Sequence, residues 1–75
     1  MKRRSKIDII IAILDVVSGG ATKTKIVYKA NLNFNIATKY LELLLEKGLV
    51  RVDGSSYEIT EDGKTFVEKA RELQI

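Results

Sequence analysis

Cysteine, histidine, tryptophan and proline are all absent from this chain of 75 residues. Without cysteine there is no disulfide, and without cysteine or histidine the common structural zinc sites are excluded, so neither can supplement the core. The same absences remove the usual nucleophile and base pairs of catalysis, and no Gly-rich phosphate loop followed by Lys-Ser/Thr occurs. The carboxylates are scattered or stand at helical spacing from a base, as Glu68 does from Arg71. Glu42 and Glu46 lie four apart on one helical face, but two carboxylates without further ligands make a poor metal site. No enzyme, cofactor, metal or small-molecule ligand is therefore expected. The length allows one domain with one small core and no cleft between domains.

A long apolar run is missing too. Lys2-Arg3-Arg4 followed by Ile7 to Val17 imitates a signal peptide, but Asp8 and Asp15 interrupt the run, no cleavage signature follows, and transmembrane length is not reached. The expectation is a soluble, cytoplasmic, nucleoid-associated protein with no membrane partner.

Apolar residues make up 45% of the chain, and its formal net charge is +3. A core of this size is marginal, so stability must come from good packing or from a second subunit. The charge is unevenly placed: residues 1–39 carry eight Lys/Arg against Asp8 and Asp15, a net of +6, whereas residues 40–75 carry a net of −3. That asymmetry suits a polyanion facing the first half.

The chain is organised around residues 22–50, TKTKIVYKANLNFNIATKYLELLLEKGLV. Thr22, or alternatively Thr24, is placed to cap a short helix over about 23–30, whose inward face is Ile26, Val27 and Ala30. Asn31-Leu32-Asn33 reads as a turn: Asn31 tolerates the left-handed conformation, Leu32 plugs the core and Asn33 caps the next helix. That helix runs over about 34–47, with apolar residues at 37, 41, 44 and 45 opposite a strip of Asn35, Lys39, Glu42 and Glu46, and Gly48 ends it. Ahead of this pair, Ser5 caps a first helix that stops at Gly19-Gly20. Its apolar positions 7, 10, 11, 14 and 17 form one face, and Ile9, Ile13 and Val16 form a second, to be buried either against another chain or under the last helix. Ala21-Thr22 can form a brief extended piece.

Two alternating runs, Leu49 to Asp53 and Tyr57 to Ile59, are joined by Asp-Gly-Ser-Ser, a hairpin signal, with Val50, Val52, Tyr57 and Ile59 sharing a face. Thr60 caps a last helix over about 61–73, with Phe66, Val67, Ala70 and Leu73 at core spacing. The order helix-helix-helix-hairpin-helix defines an α+β, mainly α, winged helix-turn-helix. It occupies residues 1–75 as one domain: arm 1–4, helix-turn-helix 23–47, wing 49–59 and C-terminal helix 61–73.

The runs Ile26-Val27-Tyr28-Lys29-Ala30-Asn31 and Leu43-Leu44-Leu45-Glu46-Lys47-Gly48-Leu49 go beyond the generic helix-turn-helix pattern. From Lys6 to Leu73 the chain resembles an archaeal winged-helix family. That family includes an abundant DNA-binding protein of Sulfolobus and small regulators of crenarchaeal viruses and plasmid-virus hybrids. The resemblance implies a dimer on double-stranded DNA, its recognition helix in the major groove and its wings on the backbone. Relatives often have a polar residue where Ile36 stands and Leu where Ala37 stands, which leaves open which of the two faces DNA. The best-known relative dimerises through a long coiled coil. Here the expected interface is Ile9, Ile13 and Val16 with Phe66, Ala70 and Leu73.

Asn33, Phe34, Asn35, Ile36, Thr38 and Lys39 are the candidates for groove contacts. Asn35 is suited to adenine, Lys39 to guanine or a phosphate, and Phe34 or Ile36 to a thymine methyl. Thr22, Lys23, Thr24 and Lys25 at the start of the second helix, and Arg51, Ser55 and Ser56 on the wing, are candidates for phosphate contacts. Lys2, Arg3 and Arg4 form a possible arm contact. The sequence thus points to a site-preferring transcription regulator, probed against two alternatives: an architectural protein that coats DNA, and a winged helix used only for protein interaction.

Overall fold

The computed structural model describes residues 4–73, in the order α1 (Lys6–Val17), α2 (Lys23–Lys29), α3 (Phe34–Glu46), β1 (Val50–Asp53), β2 (Ser56–Ile59) and α4 (Glu61–Leu73). Each helix begins where a side chain meets its orphan amides. Ser5 and Asp8 form a reciprocal capping box on α1, each side chain accepting from the other's backbone N–H at 3.1 Å. Thr22 accepts from the Lys25 N–H, and Asn33 Oδ1 accepts from the Ile36 N–H at 2.8 Å.

Two helices end in the same way. After α2, Asn31 takes φ of 57°, and the Leu32 N–H reaches back to the Val27 carbonyl at 2.9 Å. After α3, Gly48 takes φ of 75°, and the Leu49 N–H reaches the Leu44 carbonyl at 2.9 Å. Both are left-handed closures that satisfy the last carbonyls and fold the following leucine back toward the core. The first sets the turn between α2 and α3; the second aims the chain into the wing.

The wing pairs Val50 with Ile59 and Val52 with Tyr57 in an antiparallel register. Its two-residue loop has positive φ at Gly54 alone, the glycine-first pattern of a type II′ turn. Ala21 adds a third, one-residue strand: its N–H donates to the Tyr57 carbonyl at 3.0 Å and its carbonyl accepts from the Tyr57 N–H at 2.7 Å. This bridge ties the link between α1 and α2 to the wing. On the shared face Val50 is buried, whereas Val52 is 52% exposed at the far end of the hairpin.

At the base of the wing, Thr60 caps α4. Its hydroxyl accepts from the Gly63 N–H at 3.0 Å and donates to the Gly48 carbonyl at 2.6 Å. The helix comes so close here that a Cβ on Gly63 would collide with the Leu49 carbonyl oxygen and lie 2.6 Å from Ile59 Cγ1. Glycine is required by close approach rather than by an unusual φ.

Ile13, Leu14 and Val17 of α1 meet Ile26 of α2, Leu41 and Leu44 of α3, and Val50 of β1 in one core. Four sequence expectations are corrected at this level. Ile13, placed in a dimer interface, is fully buried within the single chain, because the arc of α1 that faces the core is 10, 13, 14 and 17; Ile7, placed on the inward face, is 42% exposed. Leu45, expected inward, is 36% exposed, since Ala37, Leu41 and Leu44 already form the line that meets the core. Arg71 pairs across helices with Asp15 of α1, its Nη2 lying 2.6 and 2.7 Å from the two carboxylate oxygens, and not with Glu68. Among the described residues, no helix is long and apolar enough to cross a membrane.

Candidate nucleic-acid interface

Asn33 caps α3, and the burial of Ala37, Leu41 and Leu44 on its inner side leaves the opposite side of its first turns outward. Ala37 is fully buried beneath them, so Ile36, 37% exposed, is the residue of that pair that looks out. Phe34 is half exposed, Asn35 and Lys39 are exposed, and Thr38 is half buried. Asn35, Ile36, Thr38 and Lys39 line one shallow concavity of about 500 Å3. The structure therefore brings together four of the six residues expected on this helix. Asn33 is occupied by the backbone of its own helix, and Phe34 stands beside the concavity in sequence without lining it.

The start of α2 is tied to this surface by a side chain. Lys23 Nζ donates to Thr38 Oγ1 at 3.2 Å, a partly buried contact that spans the two helices of the motif. It leaves Thr24 and Lys25 exposed, while the Thr22 hydroxyl serves as the cap. From Thr22 to Lys39 there are four lysines and no carboxylate.

On the wing the expected residues are dispersed. Arg51 Nε and Nη2 both donate to Glu58 Oε1, at 3.1 and 2.8 Å, so its charge already has a partner across the hairpin. Ser55 is exposed at the tip, whereas Ser56 is half buried within β2. With Asp53, the segment 50–59 carries a net charge of −1.

Lys2 and Arg3 of the expected arm lie outside the described residues. Arg4 does not hang free: its Nη1 donates to the Ala30 carbonyl at 2.8 Å and to the Asn31 carbonyl at 3.3 Å, where the negative end of α2 meets the turn. Sequence reasoning missed this contact, and also missed Lys6, which shares a second hollow with Lys39, Tyr40 and Leu43. No local signal announces either, because both join residues far apart in the chain. Tyr28, 79% exposed on α2, carried a readable signal: it sits opposite the buried Ile26, Val27 and Ala30.

Three helices, a capped turn between the second and third, and a hairpin closed by a fourth helix define a winged helix-turn-helix. A sequence model of the winged helix-turn-helix family matches residues 3–75, and the chain belongs to that family. Two uncharacterized proteins of Methanocaldococcus jannaschii are similar over 72 residues, 95% of this chain, at 33% and 36% identity. The match covers 74% of the first and 34% of the second, so the chain spans only about a third of the longer relative. Among solved structures, Sso10a-2, a DNA-binding protein from Sulfolobus solfataricus, matches with a TM-score of 0.78 at 29% identity, covering 95% of this chain and 82% of that one. The resemblance to an archaeal winged-helix family is borne out.

Proposed function

We propose that this chain binds double-stranded DNA with the first turns of α3 in the major groove, and that it acts as a site-preferring regulator of transcription. One observation carries the reading: Asn35 and Lys39 are exposed on one concavity, their side chains making no hydrogen bond or ion pair among the described residues, within a stretch from Thr22 to Lys39 that holds no acid. Side chains of this kind at the start of a helix match the donor and acceptor pattern of base edges, and an α-helix fits the groove. The match to a DNA-binding protein of Sulfolobus solfataricus supports the same partner. Thr24 and Lys25 are suited to the flanking phosphates.

A second copy of the chain is the further partner in this reading. Between α1 and α4 the surface is apolar, with a hollow of about 420 Å3 lined by Ile7, Phe66, Ala70 and Leu73 together with Lys69. Leu73 is 87% exposed there. Ile7 replaces Ile13 in the proposed interface, and a two-fold dimer would set two α3 helices roughly 34 Å apart on a pseudo-palindromic site.

An architectural role with little sequence preference is the second reading, and the composition of α3 favours it in one respect. Phe34 and Ile36 take two outward positions, which leaves few groups able to read base edges. Selection of bound duplexes from a random pool, with the solution mass of the free protein, tests both. A regulator enriches a defined motif, whereas coating yields bound DNA without one. No retention of duplex at low salt would refute DNA binding altogether.

A further inference from the structure

Lys39 borders two hollows at once. On one side it lines the recognition surface with Asn35, Ile36 and Thr38; on the other it lines a separate hollow of about 270 Å3 with Lys6, Tyr40 and Leu43. Lys6 is the first residue of α1, so this second hollow joins the start of α1 to the middle of α3. Tyr40 is half buried against the core and Leu43 is 36% exposed. The hollow is thus bordered by two lysines as well as by Tyr40 and Leu43. The three ion pairs among the described residues use Arg51, Lys64 and Arg71, and neither Lys6 nor Lys39. Asp8, Glu42 and Glu46, the neighbouring carboxylates in sequence, line neither hollow.

Two like charges that share a hollow without a carboxylate repel each other unless an anion lies between them. We propose that Lys6 and Lys39 hold a single backbone phosphate of the duplex, on the edge of the groove that α3 enters. This rests on the reading of α3 as the DNA-binding helix and goes beyond it in two respects. It brings α1 into the interface, and it assigns Lys39 to the backbone, leaving Asn35 as the base reader. An ammonium is a compact charge with three donors and suits a phosphate oxygen well, whereas it lacks the planar fork that gives bidentate base contacts. A phosphate gripped from both helices sets how deep and at what angle α3 lies, which positions Asn35 without reading sequence itself.

The salt dependence of binding tests this, because its slope counts phosphates. Fluorescence anisotropy on a selected duplex and on a scrambled duplex of the same composition is measured for the wild type, Lys6→Gln, Lys39→Gln, the double variant and Lys64→Gln, a control on α4. Thermal melts show that each is folded, and Lys6→Arg tests rescue. The single variants are expected to weaken binding equally on both duplexes, Lys6→Arg to restore it, and Lys64→Gln to leave the slope unchanged. Per bound protomer, with the stoichiometry taken from the solution mass, the double variant should flatten the slope by ~0.9, the value for one phosphate on B-DNA. A flattening of ~1.8 per bound protomer would mean two separate phosphates and overturn the proposal. An unaltered affinity of Lys6→Gln for both duplexes, or a Lys39→Gln loss confined to the selected duplex, would overturn it as well while leaving DNA binding intact. Absence of wild-type binding to either duplex would instead remove the reading of α3, and this proposal with it.

Discussion

The helix-turn-helix and the wing stand on the same core but differ in how their charges are spent. From Thr22 to Lys39 there are four lysines without an acid, and of these, among the described residues, only the Lys23 side chain is engaged, by Thr38. Across the wing the one base, Arg51, is held by Glu58, and Asp53 leaves the segment net negative. The first region keeps its cations available for a polyanion, whereas the second satisfies its cation internally. The wing is tied to the rest of the fold through the Ala21 bridge to Tyr57 and the Thr60 hydroxyl on the Gly48 carbonyl. It supports α3 from behind more than it extends the basic surface.

The largest expected effect concerns the core that both regions share. Ile13→Ala should cost about 2–5 kcal/mol, as for other fully buried aliphatic side chains, and the loss should be the same at every protein concentration. Chemical denaturation at two concentrations checks this. A loss that appeared only at high concentration would return Ile13 to a subunit interface. Next, Gly63→Ala should destabilise the base of the wing by about 1–3 kcal/mol, through overpacking against Leu49 and Ile59, as a shift in denaturation midpoint would show. Amide exchange should place the disturbance in β1, β2 and α4 before it reaches α2 and α3.

Two further substitutions act on binding rather than folding. Asn35→Ala should remove about 1–3 kcal/mol of discrimination between a selected and a scrambled duplex, with little effect on the scrambled one. Competition binding reads this directly, and equal losses on both would demote Asn35 from base reader to backbone contact. The smallest effect sharpens the contrast with the wing. Glu58→Gln releases Arg51 and should steepen the salt slope by no more than ~0.9, one phosphate, if the hairpin lies near the backbone. No change at all would mean that the wing stands clear of the duplex.

What was legible in the sequence was local. Ser5, Thr22, Asn33 and Thr60 cap the helices they were expected to cap, Asn31 takes the left-handed conformation expected of it, and Gly48 ends α3 with a positive φ. These signals depend on a residue and its neighbours within a turn, so one sequence suffices. The azimuth of α1 was not legible in the same way. With apolar residues almost all around, periodicity could not tell that Ile13 faces inward and Ile7 outward. The remaining omissions are contacts over long separations: Arg4 on the carbonyls of Ala30 and Asn31, Arg71 on Asp15, Gly63 beneath Leu49, and Lys6 beside Lys39. Each depends on helices crossing at a particular place. At the candidate site, the exposure of Asn35 and Lys39 followed from the helical strip, whereas the choice of Ile36 over Ala37 as the outward residue needed the packed core.

Titration of isotope-labelled protein with duplex DNA, followed residue by residue through backbone amide shifts, addresses the central claim most directly. The account predicts that the largest changes fall on Asn35, Ile36 and Lys39, with Lys6 and Lys25 next and the Arg51 to Glu58 hairpin little affected. Changes concentrated on the hairpin and α4, with the first two turns of α3 silent, would contradict it.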